Sequence, residues 1–586
     1  MKRKCENMKN AFKHIAWFFK QEWKSYVLCL ILLIIVSVVP LIPAKILGNA
    51  IDAFSTGTLT TKSLLIFVLL LFTCPILTYI VNIFYHYTMI KLGHKLSFQL
   101  RERYISHLFD MDAELYEKYT KGDLISRATN DLNSLTNLAT SFLENVIFYA
   151  ITIVTAIIMM LSISPVLTLA SVSFMPIVIF FLNKARLEKR KYYKKHHEIY
   201  AEMTESVLES IEGVKTVRAY CYEDEDFKKT EKAIINDVNS WWKIQKFESI
   251  FTPLFELVYA VSYFIAIGFG TYLVIHGDIS AGSLVSYLVY VGTLYGPLIG
   301  LSNVLNITNN IVIADQRFNE VMNLTPTVKN EEHPKDIIKF KEISFNNASF
   351  KYPFDDFEVI KNISFSIKSG ETIGIVGPTG AGKSTLIRQL LREFNLTKGE
   401  IKIDGNDIKE YKIEDIRNLV GYVPQNHILF RRSVDDNILI GNPNASDQLI
   451  QKAMIMADFK KDLSNLTEGS STMVAELGES LSGGQKQRLS IARALVKDPE
   501  ILILDDSLSA VDALTESNII NQLKEYRKDK TNIIVAHRFS AVKNADKIIV
   551  LQNGEITDVG SSKELLKYDN WYKFQYLKQL KGDIYE

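Results

Sequence analysis

Along the first half of the chain, apolar residues run in long blocks rather than in short alternations. Six blocks, near Tyr26–Leu47, Leu64–Ile90, Leu138–Ile163, Val166–Leu182, Phe251–Ile275 and Leu284–Ile307, hold almost no charged residue. A helix needs about 20 apolar residues to cross the hydrocarbon core of a bilayer. Backbone polar groups cannot stand unpaired in lipid, so the blocks predict six transmembrane helices. The first block follows a basic stretch (Lys2, Arg3, Lys4, Lys9, Lys13), the charge order of a secretory leader. It is too long for one and lacks a small-residue cleavage site, so it reads as the first span. Trp17, Phe19 and Trp23 just before it suit an interfacial elbow helix over residues 1–24.

The connections between blocks are unequal. Gly48–Ser63, Ser162–Pro165 and His276–Gly282 are short and nearly uncharged, whereas Lys91–Asn137 and Asn183–Ile250 are long and rich in Lys and Arg. Basic residues stay on the cytosolic side, which predicts both ends of the chain in the cytosol. The long inner connections carry helical patterning with few breakers. A hairpin of ~45 residues at 1.5 Å per residue gives stiff arms of about 30 Å below the membrane. Glu256 is the strongest intramembrane candidate for touching a cationic cargo, since charge within a span suggests function. It also lies near the cytosolic end of its span, where water satisfies it. The aromatic residues Phe142, Phe148, Tyr149, Tyr259, Tyr263 and Phe264 could line an adaptable cavity or serve plain packing.

After Asn323 the pattern changes. A polar stretch holding Pro326 and Pro334 predicts a linker over residues 323–340, between a membrane domain (25–322) and a second domain (341–580). Short apolar strands then alternate with charged helices, the pattern of an α/β fold. The strand Thr372–Val376 leads into Gly377-Pro378-Thr379-Gly380-Ala381-Gly382-Lys383-Ser384, and Thr385 opens the run of the following helix. This is the Walker A pattern. Its glycines let backbone N–H groups wrap phosphate oxygens at a helix N-terminus. Lys383 is then the partner of the β- and γ-phosphates of ATP, and Ser384 a ligand of Mg²⁺. A second apolar run, Ile501–Leu504, ends in Asp505 and Asp506, which suits a Walker B strand whose Asp505 holds Mg²⁺ at a strand's carboxyl end.

A third segment, Leu481-Ser482-Gly483-Gly484-Gln485-Lys486-Gln487-Arg488, resembles the signature of the ABC ATPases, and nearly the whole chain resembles a half-transporter of the ABC exporters. The resemblance implies an all-α six-helix membrane domain with long cytosolic extensions, joined to an α/β P-loop ATPase. It implies adenine stacking for Tyr352, a Q-loop role toward Mg²⁺ and the membrane domain for Gln425, and a D-loop at Ser509–Asp512. It implies γ-phosphate contact for His537. Ser482, Gly483, Gly484 and Gln485 would act on the ATP site of a second subunit. Tyr119–Asp123, Ser126, Arg127 and Gly213 resemble the family's lever segments, whose short tip helices dock on the ATPase.

One position departs from the family. The acid after Walker B is normally Glu and polarises the attacking water; here it is Asp506. A carboxylate set back by about 1 Å costs on the order of a hundredfold in rate. With an intact signature, this suggests a heterodimer resembling the bacterial heterodimeric multidrug exporters, in which this chain carries a slow site and lends its signature to a competent one. A homodimeric lipid or lipid-precursor flippase fits the same layout, and an ATP-gated channel or regulatory subunit would share the architecture. The net charge of +1 over 586 residues gives no electrostatic footprint for nucleic acid. The four cysteines show neither disulfide nor zinc spacing. The expected setting is the cytoplasmic membrane, with a second half-transporter, the bilayer and a hydrophobic or cationic small molecule as partners.

Overall fold

The computed structural model describes residues 2–173 and 175–582. The chain divides into two compact units, residues 1–106 with 124–323, and residues 107–123 with 324–586.

Among its described residues the first unit is built of helices and the turns between them. Among the described residues, Trp23–Ser55, Thr61–Asp110 and Lys121–Ile163 are long and apolar enough to cross a membrane, and Tyr259–Ile275 is a shorter apolar stretch. Of the other two expected spans, Leu284–Ile307 falls within the helix Ala281–Met322, and Val166–Leu182 falls on Pro165–Val172 and Met175–Glu212. The side chains of 174–182 lie outside the described residues. Large apolar side chains such as Leu65, Leu69, Phe72 and Phe84 face outward along Thr61–Asp110. In water that exposure would be costly, whereas against lipid tails it costs nothing. The helices Thr61–Asp110 and Glu223–Ile275 hold 50 and 53 residues. At 1.5 Å per residue each is about 75–80 Å long, more than twice a bilayer core.

The helix Lys2–Gln21 buries Ala11, Ile15 and Phe18, one face at helical spacing. His14 Nδ1 lies 2.8 Å from Oδ1 of Asp315, and the Arg103 guanidinium stacks 3.5 Å from the Trp17 ring centroid. The helices Ile42–Ser55 and Ala281–Met322 meet at two glycines. A Cβ on Gly282 would stand 1.9 Å from Gly48 O, and one on Gly48 would stand 2.0 Å from Ser286 Oγ. Asp52 closes this contact, accepting from Gly282 N at 2.8 Å and from Ser280 Oγ at 2.5 Å.

The second unit is an α/β fold built on two sheets. Four strands, β1 (Glu342–Phe350), β2 (Ile360–Lys368), β4 (Lys398–Ile403) and β5 (Asn406–Asp407), form an antiparallel sheet in the order β2-β1-β4-β5. Six others are β3 (Thr372–Val376), β6 (Val420–Val423), β7 (Ile501–Asp505), β8 (Thr531–Val535), β9 (Lys547–Gln552) and β10 (Glu555–Gly560), ordered β10-β9-β3-β8-β7-β6. All pair in parallel except β10, an antiparallel edge. Both faces of the larger sheet are covered. Ile501 and Ile503 join Phe345, Ile363 and Ile401 in one core, while Leu502 and Leu504 join Leu489, Ile491 and Ile519 in the other. Burial on both faces is why β7 reads as an unbroken apolar run.

Candidate functional site

The carboxyl end of β3, held between β8 and β9, delivers the chain into the Walker A loop. The loop needs its glycines. Gly380 and Gly382 have φ of +81° and +96°, in the left-handed region that Cβ disfavours. A Cβ on Gly377 would stand 2.0 Å from Leu551 O, so the loop also presses against β9. Pro378, Thr379 and Gly380 are exposed at the tip, while Ala381, Lys383 and Thr385 are buried. The helix Lys383–Leu390 starts directly behind, and the N–H groups of its first turn have no intrahelical partner. Lys383 Nζ curls back over the loop and donates to Gly377 O and Pro378 O, both at 3.0 Å. Burial pulls the Lys383 ammonium below its ordinary pKa, opposed by the carboxylates of Asp506 and Asp505.

Asp505 closes the other side. Its Oδ1 accepts from Ser384 Oγ at 2.9 Å and its Oδ2 from Tyr422 OH at 3.3 Å. Tyr422 reaches it because β6 pairs with β7, with Tyr422 opposite Ile503 and Val423 opposite Leu504. Burial raises the Asp505 pKa and neighbouring Asp506 adds to the rise, while the hydroxyls of Ser384 and Tyr422 pull it down. A serine hydroxyl and a carboxylate 2.9 Å apart are a hard-oxygen pair, the donor type that Mg²⁺ takes.

Asp506 has a different setting. It adopts φ of +48°, a conformation that Asp tolerates better than most side chains, and its N–H donates to Val535 O at 3.0 Å. Gln425 Nε2 donates to Asp506 Oδ2 at 3.4 Å, which brings the Q-loop position to the end of β7. His537 follows β8 and is exposed, and Gln579 fastens its backbone. Gln579 Nε2 donates to His537 O at 2.7 Å, and its Oε1 accepts from Phe539 N at 3.0 Å. Tyr352 lies beside the Walker A helix, its hydroxyl 3.1 Å from Thr385 Oγ1. Its ring packs edge-on to Phe350 and Phe394, at centroid distances of 4.9 and 5.4 Å.

Ser384 with Asp505, Gln425 with Asp506, and Tyr352 with Thr385 are therefore paired by direct contacts around the carboxyl ends of β3 and β7, where Lys383 also lies. The signature residues form a separate group. Ser482 caps the helix Gly483–Leu495 through a reciprocal pair with Gln485 and is exposed, as is Gly483. Arg488 on that helix binds Asp462 through two bonds of 2.8 Å, both side chains buried. Asp512 caps Ala513–Tyr526, accepting from Thr515 N at 2.9 Å. Tyr422 and Gln579 were not singled out from the sequence. Tyr422 was accessible to strand alternation next to Walker B, whereas nothing local marks Gln579.

The family description "ABC transporter transmembrane region" matches residues 26–298, and "ABC transporter" matches residues 360–509. A probable multidrug resistance ABC transporter ATP-binding/permease protein, YheI of Bacillus subtilis, is 37% identical over 98% of this chain and 98% of its own length. The multidrug resistance-like ATP-binding protein MdlA of Escherichia coli is 30% identical over 97% of this chain and 96% of its own. The structure of a bacterial Atm1-family ABC exporter with ATP bound superposes with a TM-score of 0.81 at 24% identity, covering 96% of this chain and 99% of that one. Full-length kinship and a matching fold have one reading: the chain belongs to the ABC transporter family, as a half-transporter of exporter fold whose transmembrane region is joined to a nucleotide-binding ATPase domain.

Proposed function

We propose that this chain is one subunit of a heterodimeric ATP-driven exporter that moves hydrophobic or amphipathic, drug-like compounds, some of them cationic, out across the cytoplasmic membrane. The multidrug names of its relatives support the cargo class. The basic inner connections support a cytosolic ATPase and cytosolic ends. In this reading residues 1–24 are an interfacial elbow, 25–322 the membrane domain, 323–340 the linker and 341–580 the ATPase.

The loop amides from Gly377 to Thr385 hold the phosphates of ATP, Lys383 neutralises the β- and γ-oxygens, and Tyr352 faces the adenine. Ser384 and Asp505, with Gln425 beside them, are the residues that would hold Mg²⁺, which when bound draws off charge from the phosphates. His537 lies at the γ-phosphate end and Asp512 in the D-loop. Ser482, Gly483, Gly484 and Gln485 serve the site of the opposite subunit. Binding of ATP between two such domains favours their closed pairing, and only that preference can drive the membrane helices between inward- and outward-open states.

The observation that carries the heterodimer is Asp506, one methylene short of the glutamate expected there and engaged by Gln425. Its own site would be slow and ATP-retaining, while its signature completes a competent site on the partner. Purified alone in lipid, the chain should bind Mg-ATP but turn it over feebly. Co-expression with a half-transporter carrying Glu after its Walker B should restore turnover. Vigorous hydrolysis by the isolated chain, unchanged in Asp506→Asn, would remove the heterodimer reading. Undiminished Mg-ATP binding in Lys383→Ala would remove the site itself.

A further inference from the structure

Residues 107–123 belong to the ATPase unit although the chain on either side of them belongs to the helical one. Two acidic residues fasten this segment. Asp112 caps its helix Ala113–Lys118, accepting from Glu114 N at 3.3 Å. The same carboxylate accepts from the linker, at 2.5 Å from Thr327 N, 2.8 Å from Thr327 Oγ1 and 3.0 Å from Val328 N. Glu117, one helical turn on, reaches the Walker A helix, its Oε1 2.9 Å from Nη2 of Arg388.

Arg388 lies four residues after Ser384 on the Walker A helix, and its guanidinium is shared three ways. Nη2 meets Glu117, Nε donates to Glu393 Oε2 at 2.7 Å, and Nη1 donates to Tyr352 OH at 3.2 Å. The Phe394 ring supports it from one side, with its centroid 4.7 Å from Cζ. Arginine has donors only, so Tyr352 accepts from it, while the bond between Tyr352 OH and Thr385 Oγ1, 3.1 Å long, can run in either direction. When Tyr352 gives its hydrogen to Thr385, the bonds run in one direction, from Arg388 to Tyr352 to Thr385. The hydrogen of the Thr385 hydroxyl is left to donate to an anionic oxygen at the loop. When Thr385 donates, its oxygen becomes a better acceptor, and each bond upstream strengthens in turn. Glu117 shares that guanidinium with Tyr352, so its ion pair lies one contact from the nucleotide side.

We propose that Arg388 is a positioning residue that reports nucleotide occupancy at Tyr352 and Thr385 to the helix Ala113–Lys118 through Glu117. This rests on the reading that ATP sits on the Walker A loop. The coupling is reciprocal, so whatever seats or unseats Glu117 changes nucleotide affinity by the same factor. Glu117 is the position to probe, because it touches neither the phosphate loop nor Tyr352.

The test is hydrogen–deuterium exchange on the full chain in lipid nanodiscs, with and without Mg-ATP, following peptides that cover 377–390 and 107–123. In the wild type Mg-ATP should protect 377–390 and also change exchange in 107–123. Glu117→Gln should keep the protection of 377–390 while the nucleotide-dependent change in 107–123 falls about fivefold or more. Arg388→Lys, which keeps the charge but not the three-way fork, should do the same, and the double variant should be no worse than either single one. No protection of 377–390 in the wild type would overturn the ATP reading and this inference with it. Protection there without any response in 107–123, or a response that survives Glu117→Gln, would overturn the inference alone. So would faster exchange of 107–123 in Glu117→Gln both with and without nucleotide, since a mere anchor would leave the nucleotide-dependent difference intact.

Discussion

The ATPase unit carries two motifs at helix N-termini, and they are built in opposite ways. Walker A is closed on itself. Its lysine is buried on the loop's own carbonyls, its serine is bonded to Asp505, and Tyr422 holds the far oxygen of that acid. The signature is closed only behind its tip. Arg488 and Asp462 lock the helix from within, while Ser482 and Gly483 stay exposed. One motif thus uses its polar groups within the chain, while the other leaves Ser482 and Gly483 exposed, as the proposed role toward a second subunit requires.

Four substitutions would break or sharpen that contrast. The largest effect belongs to the buried pair behind the signature. Asp462→Ala leaves the Arg488 charge buried and unpaired, and chemical denaturation of the full chain should show a loss of about 3–5 kcal/mol from the ATPase transition. Next is Asp506→Glu, which adds the methylene that the proposed slow site lacks. It should raise the hydrolysis rate of the isolated chain on the order of a hundredfold, measured by phosphate release. An unchanged rate would place the defect elsewhere than in side-chain length. Lys383→Ala removes a charged donor worth about 1.5–3 kcal/mol, so Mg-ATP affinity should fall about 10–100-fold in equilibrium binding. Ser482→Ala removes the cap, worth about 1 kcal/mol. It should leave ATP affinity at the chain's own Walker A unchanged while slowing turnover of the assembled dimer; a loss of affinity in the isolated chain would erase the division between the two motifs.

The acid titration of Mg-dependent binding offers a finer test. Burial, reinforced by Asp506, holds the Asp505 pKa above the usual aspartate value. Mg²⁺ needs the ionised form, so binding should weaken as pH falls through that raised pKa, earlier than an ordinary aspartate would cause. Asp505→Asn should flatten the profile.

Much of this was legible in the sequence because its physics is local. A block of apolar residues announces a membrane helix by length alone, and Gly380, Gly382 and Lys383 stand in the Walker A spacing, whose glycines allow the left-handed backbone that the loop adopts. The strand–loop–helix order around Lys383 and the acid at the end of β7 followed from the same patterns. The rest hangs on residues distant in sequence. Nothing near Glu117 points to Arg388, 271 positions later, and nothing near Gln579 points to the backbone after β8. The grouping of residues 107–123 with the ATPase unit was foreshadowed only by the resemblance of Tyr119–Asp123 to a lever segment, because a helix tip by itself reads the same whatever it rests on. The π-helical turns Arg127–Asp131 and Leu138–Phe142, which interrupt one long helical run, also left no compositional mark.

The contact at Gly48 and Gly282 has a mechanical corollary. Two rods whose backbones touch with no room for a methyl group make a contact that any added side chain would break. The Asp52 carboxylate pins the same junction. Parting the helices Ile42–Ser55 and Ala281–Met322 would therefore forfeit both the backbone contact and the two bonds of Asp52 at once.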